Sequence, residues 1–325
     1  MRTRQLGRSG LEVPVISFGA FPITGAMGPV DEEEALNTVR TAMDCGMTFI
    51  DTAEAYGPER LGGARHSEKV LGEALAGRRD EAIICTKVSG GNSIEHMNEA
   101  IENSLRMLRT DHVDLYLLHG LDKDNYPLEK TMAGLQQLQA QGKTRFIGVS
   151  SHSAEQLAAL LESGPLDCHM VKYHLLYRAN EPTMGFSQRH GMGVTTHSTL
   201  AKGLLTGKHR PGHTFHESDE RSRTGGATGP FQGRGLARCL EVAERLRVWA
   251  EDRERTLVQL AIAWALAHPS VTAATVGPKT PQQVREAAAA AEWDLTRAEL
   301  DEIETLRGGF ELVGDNGYEL PPEGV

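Results

Sequence analysis

Short apolar runs alternate with amphipathic stretches along most of the chain. The runs at 82–85 and 113–118 are largely apolar and too short for helices, so they predict buried strands. Between them, apolar residues recur from Ile94 to Leu108 at the spacing of one helix face. The pattern therefore predicts strands and helices in alternation.

The strands repeat at a regular interval. In the first half of the chain each strand ends at a polar residue, and the next strand ends roughly thirty residues later, which is the length of one strand–helix unit. These strand ends are Asp51, Lys87, His119 and Ser150. Four further strands are predicted, one ending near Gly19 and three at 170–171, 194–196 and 271–276.

Eight such units without paired hairpin strands predict an all-parallel sheet, which closes into a (β/α)8 TIM barrel. An open doubly wound sheet is the alternative, although no GxGxxG motif follows an early strand. We expect one barrel domain over residues 1–325, with a short N-terminal β-hairpin around Ser9-Gly10. An extra C-terminal helix is predicted to begin after Thr296, which forms a capping box with Glu299.

Two segments break the alternation. Residues 207–235 are polar and rich in Gly, Arg and His without periodicity, and we interpret them as a long surface loop. Residues 308–325 are predicted to form a loose tail after the last helix.

Composition narrows the class of protein. The formal net charge of −10 and a pI of about 5.7 argue against a general nucleic-acid binder, which usually carries a basic face. The four cysteines include no CxxC pair, which is typical of reduced core cysteines in a cytosolic protein. No signal-peptide apolar region and no apolar stretch of roughly 20 residues is present, so we expect a cytoplasmic protein without a membrane span.

Four chemically able side chains follow three consecutive strands. Asp51, Lys87 and His119 stand at the strand ends, and Tyr56 follows Asp51 in the next loop. The carboxyl ends of barrel strands are where active sites lie. A free tyrosine has a pKa of roughly 10, and a nearby ammonium favours the phenolate. We therefore expect Lys87, held charged by Asp51, to lower the pKa of Tyr56 so that its phenol can protonate a carbonyl oxygen that receives hydride.

Each residue alone has another interpretation. Asp51 could cap a helix, Tyr56 could be a loop aromatic, and Lys87 and His119 could be solvated or core side chains. Their joint placement at neighbouring strand ends favours a catalytic site. In such a site His119 would position the carbonyl or help relay the proton.

The sequence around these residues resembles the aldo-keto reductase superfamily. Asp51 and Tyr56 lie in Asp-Thr-Ala-x-x-Tyr-Gly, Lys87 in Thr-Lys and His119 in Leu-Leu-His, which are the family's catalytic four. The segments at 148–150, 203–208 and 276–280 resemble its Gly-Val-Ser strand, its long cofactor loop and its late phosphate-binding turn. The resemblance runs from about Leu6 to Leu306.

The resemblance implies an NAD(P)H-dependent reduction of an aldehyde, ketone or keto-sugar, because no side chain supplies hydride. NADP is the expected cofactor, bound extended along the barrel mouth, with NAD possible. Ser150 and Ser151 are expected at the nicotinamide carboxamide, Lys279 and Thr280 at a phosphate, and Gln283 and Glu286 at the adenosine end. The cofactor-binding residues predicted in all are Ser150, Ser151, Met170, His197, Leu200, Lys202, Gly203, Lys208, Gly277, Lys279, Thr280, Gln283 and Glu286.

Four positions depart from the family pattern. Met170 stands where the family often has Gln for the carboxamide, and His197 stands where it often has a Tyr that stacks on the nicotinamide. Ser151 and Ala287 each replace an Asn. These departures leave the choice between NADP and NAD open, and Lys279 favours NADP.

The basic loop allows two interpretations. Lys208, Arg210, Arg221 and Arg223 either close over the pyrophosphate or are solvated. Its three histidines, His209, His213 and His216, are loosely spaced, and the chemistry needs no metal, so we expect none.

Three functions remain open on the sequence. The first is a reductase of a small carbonyl compound, the second a cofactor-binding regulatory subunit like the potassium-channel β subunits, and the third a redox-neutral epimerase. Tyr173, His174 and Tyr177 are candidates for lining a substrate pocket that suits a hydroxylated or sugar-like compound. The oligomeric state is left open.

Overall fold

The computed structural model describes residues 1–57, 66–120, 126–224, 229–314 and 319–320. It begins with the predicted hairpin, in which β1 (Thr3–Gln5) pairs antiparallel with β2 (Glu12–Pro14). Gly10 lies in the turn at a φ of 74°, which glycine adopts without strain. Leu6 and Val13 are buried with residues of the barrel interior, so the hairpin closes the amino end of the barrel.

Eight parallel strands form a closed barrel, with neighbours in the order β10-β3-β4-β5-β6-β7-β8-β9. The predicted TIM barrel is thus confirmed, and the open-sheet alternative is wrong. The strands are β3 (Ile16–Gly19), β4 (Phe49–Asp51), β5 (Ile83–Val88), β6 (Val113–Leu118), β7 (Thr144–Ser150), β8 (Cys168–Lys172), β9 (Gly193–His197) and β10 (Val271–Val276).

Helices surround the barrel, and several of them begin at residues whose side chains cap the helix. Asp31 accepts hydrogen bonds from the amides of Glu33 and Glu34, and Ser153 and Thr296 each form the predicted capping box. The helices are α1 (Glu32–Asp44), α2 (His66–Ala74), α3 (Ile94–Leu108), α4 (Leu128–Ala140), α5 (Ala154–Leu161), α6 (Glu181–Arg189), α7 (Gly233–Glu251), α8 (Leu257–Ala267), α9 (Pro281–Ala288) and the extra α10 (Arg297–Arg307).

Apolar side chains fill the barrel interior below its carboxyl end. Phe49, Cys85, Leu117 and Met170 belong to one buried cluster inside the barrel. Side chains alternate between the two faces of a strand, so the residue two positions after an interior side chain also faces inward. This periodicity brings Asp51, Lys87 and His119 to the mouth of the barrel, directly above the apolar cluster.

Two segments that the sequence predicts to be irregular are ordered in part. Within residues 207–235, α7 already begins at Gly233, and a short 3-10 helix covers Glu220–Ser222. Asp219 and Arg221 are buried and ion-paired, so this part of the loop is not solvated. Arg210 and Arg223 are exposed as a surface loop would have them. Residues 225–228 lie outside the described part of the chain.

The predicted loose tail is docked over its first residues. Phe310 and Leu312 are buried, and the amide of Leu312 donates to the carbonyl of Leu176 at 2.7 Å. Burial of these two apolar side chains stabilises the docked segment. Beyond 314, the structure describes residues 319–320.

No described helix has the length and apolar character needed to cross a bilayer.

Candidate active site

Lys87 is the centre of the site. Its ammonium donates to Asp51 Oδ1 at 2.5 Å, to the Thr52 carbonyl at 2.7 Å and to the Tyr56 phenol oxygen at 3.2 Å. An ammonium has three N–H groups, so all three are used. Because Lys87 donates to the phenol oxygen, the phenolic proton is left to point elsewhere.

Strand register brings the ion pair together. Asp51 on β4 stands opposite Cys85 on β5, and Lys87 follows Cys85 by two residues on the same face. The side chains of Asp51 and Lys87 are 5% and 1% exposed, so this is a buried pair. Such a pair holds together because separating it would leave an uncompensated charge in a medium of low polarity.

Each residue of the pair favours the charged form of the other. Burial would lower the pKa of Lys87, but the charge of Asp51 raises it above its ordinary value. Burial raises the pKa of Asp51, and the charge and hydrogen bond of Lys87 oppose that effect. At neutral pH the pair is therefore an ammonium and a carboxylate.

The pKa of the Tyr56 phenol is raised in the structure, whereas the sequence predicts that it is lowered. Burial raises its pKa to about 12, although the ammonium of Lys87 pulls it down. The expectation of a lowered pKa is wrong because desolvation of the phenolate outweighs the attraction of one cation already paired with Asp51. The phenol is consequently protonated at neutral pH, as a proton donor must be.

His119 is neutral and hydrogen-bonded. Burial and, to a smaller extent, the charge of Lys87 together lower its pKa to about 3. Its Nδ1 lies 2.8 Å from the Ser89 hydroxyl, and its ring packs edge-on against Tyr56 with centroids 5.6 Å apart. When Ser89 donates to Nδ1, the ring proton is on Nε2, which can donate to a carbonyl beside Tyr56.

A cavity of about 530 Å³ opens at the carboxyl ends of the strands and reaches from Tyr56 to α9. Most predicted site residues line it. These are Asp51, Tyr56, His119, His197, Leu200, Lys202, Gly203, Lys208, Gly277, Lys279, Gln283 and Glu286. Ala287, the position that departs from the family's Asn, also lines it.

Five predicted residues do not line the cavity, namely Lys87, Ser150, Ser151, Met170 and Thr280. Lys87 is buried behind Tyr56, and Met170 is buried among the apolar residues inside the barrel. Ser150 is buried, and the Thr280 hydroxyl accepts the amide of Gln283 at 3.3 Å as a helix cap. The binding roles of these residues remain predictions.

The Ser151 hydroxyl lies within hydrogen-bond distance of the His197 ring. Its hydroxyl lies 3.3 Å from His197 Nε2, and the Ser198 hydroxyl lies 3.1 Å from Nδ1. Both ring nitrogens therefore have a partner, and the imidazole is held at the cavity wall. Burial keeps the pKa of His197 well below its usual value, so this ring is neutral.

The segment after β9 forms a cradle that suits a pyrophosphate. Gly203 has a φ of 100°, and a Cβ there would lie 3.1 Å from Arg221 Nη1 and 3.5 Å from His209 Nε2. That buried imidazole nitrogen has no hydrogen-bond partner among the described residues. Arg221 is fixed by Asp219 at 2.6 Å, and Lys202 pairs with Glu220. A glycine flanked by fixed donors lets a phosphate approach the backbone closely.

Lys279 stands at the far end of the cavity. Its side chain donates to the carbonyl of Met27 at 3.1 Å, and its amide donates to Gln283 Oε1 at 2.8 Å. It precedes α9, whose N-terminus adds a favourable dipole for an anion.

The sequence analysis missed Lys172. This residue ends β8, lines the cavity and is 9% exposed. The signal was present, because Met170 was singled out and the period of two places Lys172 on the same face, one step closer to the mouth. By contrast, Tyr173, His174 and Tyr177 do not line the cavity, and Tyr173 instead stacks on Trp264 with centroids 4.8 Å apart.

The loop histidines contact other side chains of the same loop. His209 and His213 pack ring to ring at 4.6 Å, and His216 bonds to Ser218. Within the described ranges, no three His, Cys, Asp or Glu side chains are grouped so that they could hold a metal ion.

The model of the Aldo/keto reductase family matches residues 15–307. The chain belongs to the aldo/keto reductase family. The aldo-keto reductase YhdN of Bacillus subtilis is 31% identical over 320 residues, which cover 94% of this chain and 93% of that protein.

Solved aldo/keto reductases share the fold over nearly their whole length. The glycerol dehydrogenase of Gluconobacter oxydans matches with a TM-score of 0.83 at 27% identity, covering 95% of each chain. An aldo/keto reductase of Klebsiella pneumoniae, solved with NADP and acetate, matches with a TM-score of 0.74 at 29% identity, covering 94% of this chain and 95% of that one.

Proposed function

We propose that this aldo/keto reductase reduces the carbonyl of a small aldehyde, ketone or keto-sugar to an alcohol, with NADPH as the reductant. The observation that carries the proposal is the triple hydrogen bonding of the Lys87 ammonium to Asp51, Thr52 and Tyr56. It leaves a protonated phenol at the wall of a cavity long enough to extend to Lys279.

The side chains divide the chemistry between them. Tyr56 gives its proton to the carbonyl oxygen, and Lys87 stabilises the phenolate that this leaves. Asp51 keeps Lys87 charged and in place. The neutral imidazole of His119, oriented by Ser89, donates a hydrogen bond that positions the carbonyl.

The cavity residues suit a dinucleotide. A bound reduced nicotinamide supplies the hydride that no side chain can supply. His197 would flank the nicotinamide, Gly203 and Arg221 would hold the pyrophosphate, and Lys279 would bind an outer phosphate. The Klebsiella structure with NADP supports this choice of cofactor.

A panel of carbonyl compounds with NADPH tests the proposal. We expect loss of nicotinamide absorbance with at least one aldehyde or ketone. The alternative is a non-enzymatic subunit, since a probable voltage-gated potassium channel subunit beta of Arabidopsis thaliana is 30% identical over 328 residues. Tight NADPH binding without turnover on any compound would favour that alternative and contradict ours.

The reduction should be insensitive to pH near neutrality. Because the pKa of His119 is lowered to about 3, kcat/KM for a neutral aldehyde at saturating NADPH should stay level between about pH 6 and pH 8. An ordinary histidine, with a pKa of about 6.5, would titrate in that interval. An inflection that is present in the wild type and absent from His119→Gln would show that His119 titrates there, against this account.

Lys279 should select NADP over NAD. Removing its charge with Lys279→Met should raise the Kd of NADPH about tenfold, since a hydrogen bond to a charged group contributes about 1.5 kcal/mol. The Kd of NADH, which lacks the extra phosphate, should change little. Quenching of protein fluorescence measures both constants, and Lys69→Met, on the exposed side of α2, is the matched control. Equal weakening of both cofactors would contradict the assignment.

A further inference from the structure

A second cavity opens at the amino end of the barrel, opposite the catalytic mouth. It has a volume of about 440 Å³ and lies between the N-terminal hairpin, the end of α6 and the turn that connects α8 to β10. Binding sites for small molecules have volumes of about 300–1,000 Å³. The cavity therefore has room for a small molecule of its own, at a distance from the residues proposed for carbonyl reduction.

Arg4 carries the only permanent charge among the described residues that line this cavity, and none of them is an Asp or a Glu. Its guanidinium donates to the carbonyl of Val271 at 2.6 Å and to that of Leu266 at 3.1 Å. Leu266 lies in the last turn of α8, so Arg4 offsets the partial negative charge at the end of that helix. A guanidinium has five N–H groups, and the others are available to an acceptor in the cavity.

Two guanidinium groups share one nearby carboxylate at this end of the barrel. Arg2 and Arg4 are two residues apart in an extended segment, so they project to the same side. Asp294 Oδ1 lies 2.6 Å from Arg2 Nη1, whereas Arg4 has no ion pair with any residue that the structure describes. Within the same described ranges, Nε and Nη2 of Arg2 are buried without a hydrogen-bond partner. Cationic donors are thus in excess here.

The surroundings of Arg4 favour an incoming anion. Burial lowers its pKa below the ordinary value, the charge of Arg2 lowers it further, and the charge of Asp294 opposes both effects. Arginine stays protonated in proteins, so the shift means that its charge is kept at a cost, which an anion would offset. The planar guanidinium matches a carboxylate or a phosphate.

Neutral groups on the same wall can complete the binding of an anion. The Gln188 side chain donates one N–H to the carbonyl of Pro269 at 3.3 Å, and its amide has a second N–H. The Thr272 hydroxyl accepts from the amide of Val194 at 3.2 Å and can still donate its own proton. Both side chains line the cavity together with Arg4.

We propose that the cavity at the amino end of the barrel binds a small organic anion, a carboxylate or a phosphate, with Arg4 as its main ligand. Gln188 and Thr272 supply further hydrogen bonds. The site goes beyond the proposed carbonyl reduction and does not depend on it.

Calorimetric titration of two matched pairs of compounds tests the proposal. Glycerol 3-phosphate is compared with glycerol, and succinate with succinamide, in protein whose catalytic cavity is saturated with NADPH. At least one anion should bind about tenfold or more tightly than its neutral partner, and which pair responds distinguishes phosphate from carboxylate. In Arg4→Met that anion should bind about 10- to 100-fold more weakly, as expected for hydrogen bonds to a charged group. Arg4→Lys should retain part of the affinity, because lysine keeps the charge without the planar fork.

The matched control is Arg106→Met, which removes one exposed positive charge on α3 and should leave the affinity for the anion unchanged. If neither anion binds more tightly than its neutral partner, Arg4 serves only to cap α8, and the proposal is overturned. Equal affinity of the anion for the wild type and Arg4→Met would place it elsewhere in the protein and overturn the proposal as well.

A second substitution leaves Arg4 in place, so that the site can be tested even if Arg4→Met does not fold. Gln188 is exposed, and Gln188→Glu adds a negative charge to the cavity wall with almost no change of shape. It should weaken binding of the anion by about two- to fivefold, the effect of one charge at an exposed position. Gln141→Glu, exposed at the end of α4, is its control. Unchanged affinity in Gln188→Glu would count against the site, whereas failure of every carbonyl to react would contradict only the proposed function.

Discussion

Replacing Tyr56 with phenylalanine should lower kcat for carbonyl reduction by a factor of about 10² to 10⁴, the range that a positioned general acid contributes. The substitution removes the hydroxyl that accepts from Lys87 at 3.2 Å. It keeps the ring, whose centroid lies 5.0 Å from that of Phe21 and 5.6 Å from that of His119. The packing of the site, and with it the affinity for NADPH, should therefore be retained.

The measurement is the single-turnover rate of NADPH oxidation with an aldehyde, together with the Kd of NADPH. Tyr173→Phe is the matched control, because its hydroxyl bonds to Glu181 at 3.0 Å outside the cavity. We expect the control to react at close to the wild-type rate. If Tyr56→Phe were as active as the control, Tyr56 would not be the proton donor.

Replacing Lys87 with methionine should impair both chemistry and stability. The phenol loses the cation that stabilises its anion, and Asp51 is left as a buried charge without its partner. Removing one member of a buried pair costs about 3–5 kcal/mol of unfolding free energy. We expect a loss of that order by urea denaturation, with kcat falling at least as far as in Tyr56→Phe.

The loss of stability in Lys87→Met should depend on pH. Burial raises the pKa of Asp51, and removing Lys87 removes the main opposing effect. A carboxyl whose pKa is raised by folding contributes most stability when protonated, and that contribution is lost as the pH rises through the folded pKa. The unfolding free energy of the variant should thus fall further below that of the wild type at pH 8 than at pH 5. Both pH values lie about one unit or more above the ordinary pKa of Asp, so the difference reports the raised pKa of Asp51 in the folded protein.

A second substitution identifies the cause. Asp51→Asn combined with Lys87→Met removes the uncompensated charge, so this double variant should be more stable than Lys87→Met alone while remaining inactive. Equal stability of the single and double variants at all pH values would show that the charge of Asp51 is not what destabilises the site.

The sequence was sufficient to predict the barrel and the grouping of Asp51, Lys87 and His119 at its mouth, because both follow from local periodicity. Strands spaced by one strand–helix unit predict the parallel barrel, and alternation within a strand places Asp51, Lys87 and His119 at one mouth. The same alternation, applied beyond Met170, would have found Lys172. Capping residues such as Ser153 marked helix starts correctly because their bonds span three residues.

Properties that depend on contacts between distant parts of the chain could not be predicted from local periodicity. The pKa of Tyr56 depends on how much water the folded chain removes, and the sequence carries no measure of that. Arg221 was open to interpretation as solvated because its carbonyl partner on Met27 is distant in the chain. Leu312 docks on Leu176 for the same kind of reason, since its partner lies more than a hundred residues away in sequence.

The central claim is that Tyr56 donates a proton while a bound nicotinamide donates hydride. The most direct test uses NADPH that carries deuterium at the transferable position. The wild type should give an alcohol with deuterium on the former carbonyl carbon, and Tyr56→Phe should form that product at about one hundredth of the rate or less. An alcohol without deuterium, or equal rates of deuterium transfer in the two proteins, would contradict the account.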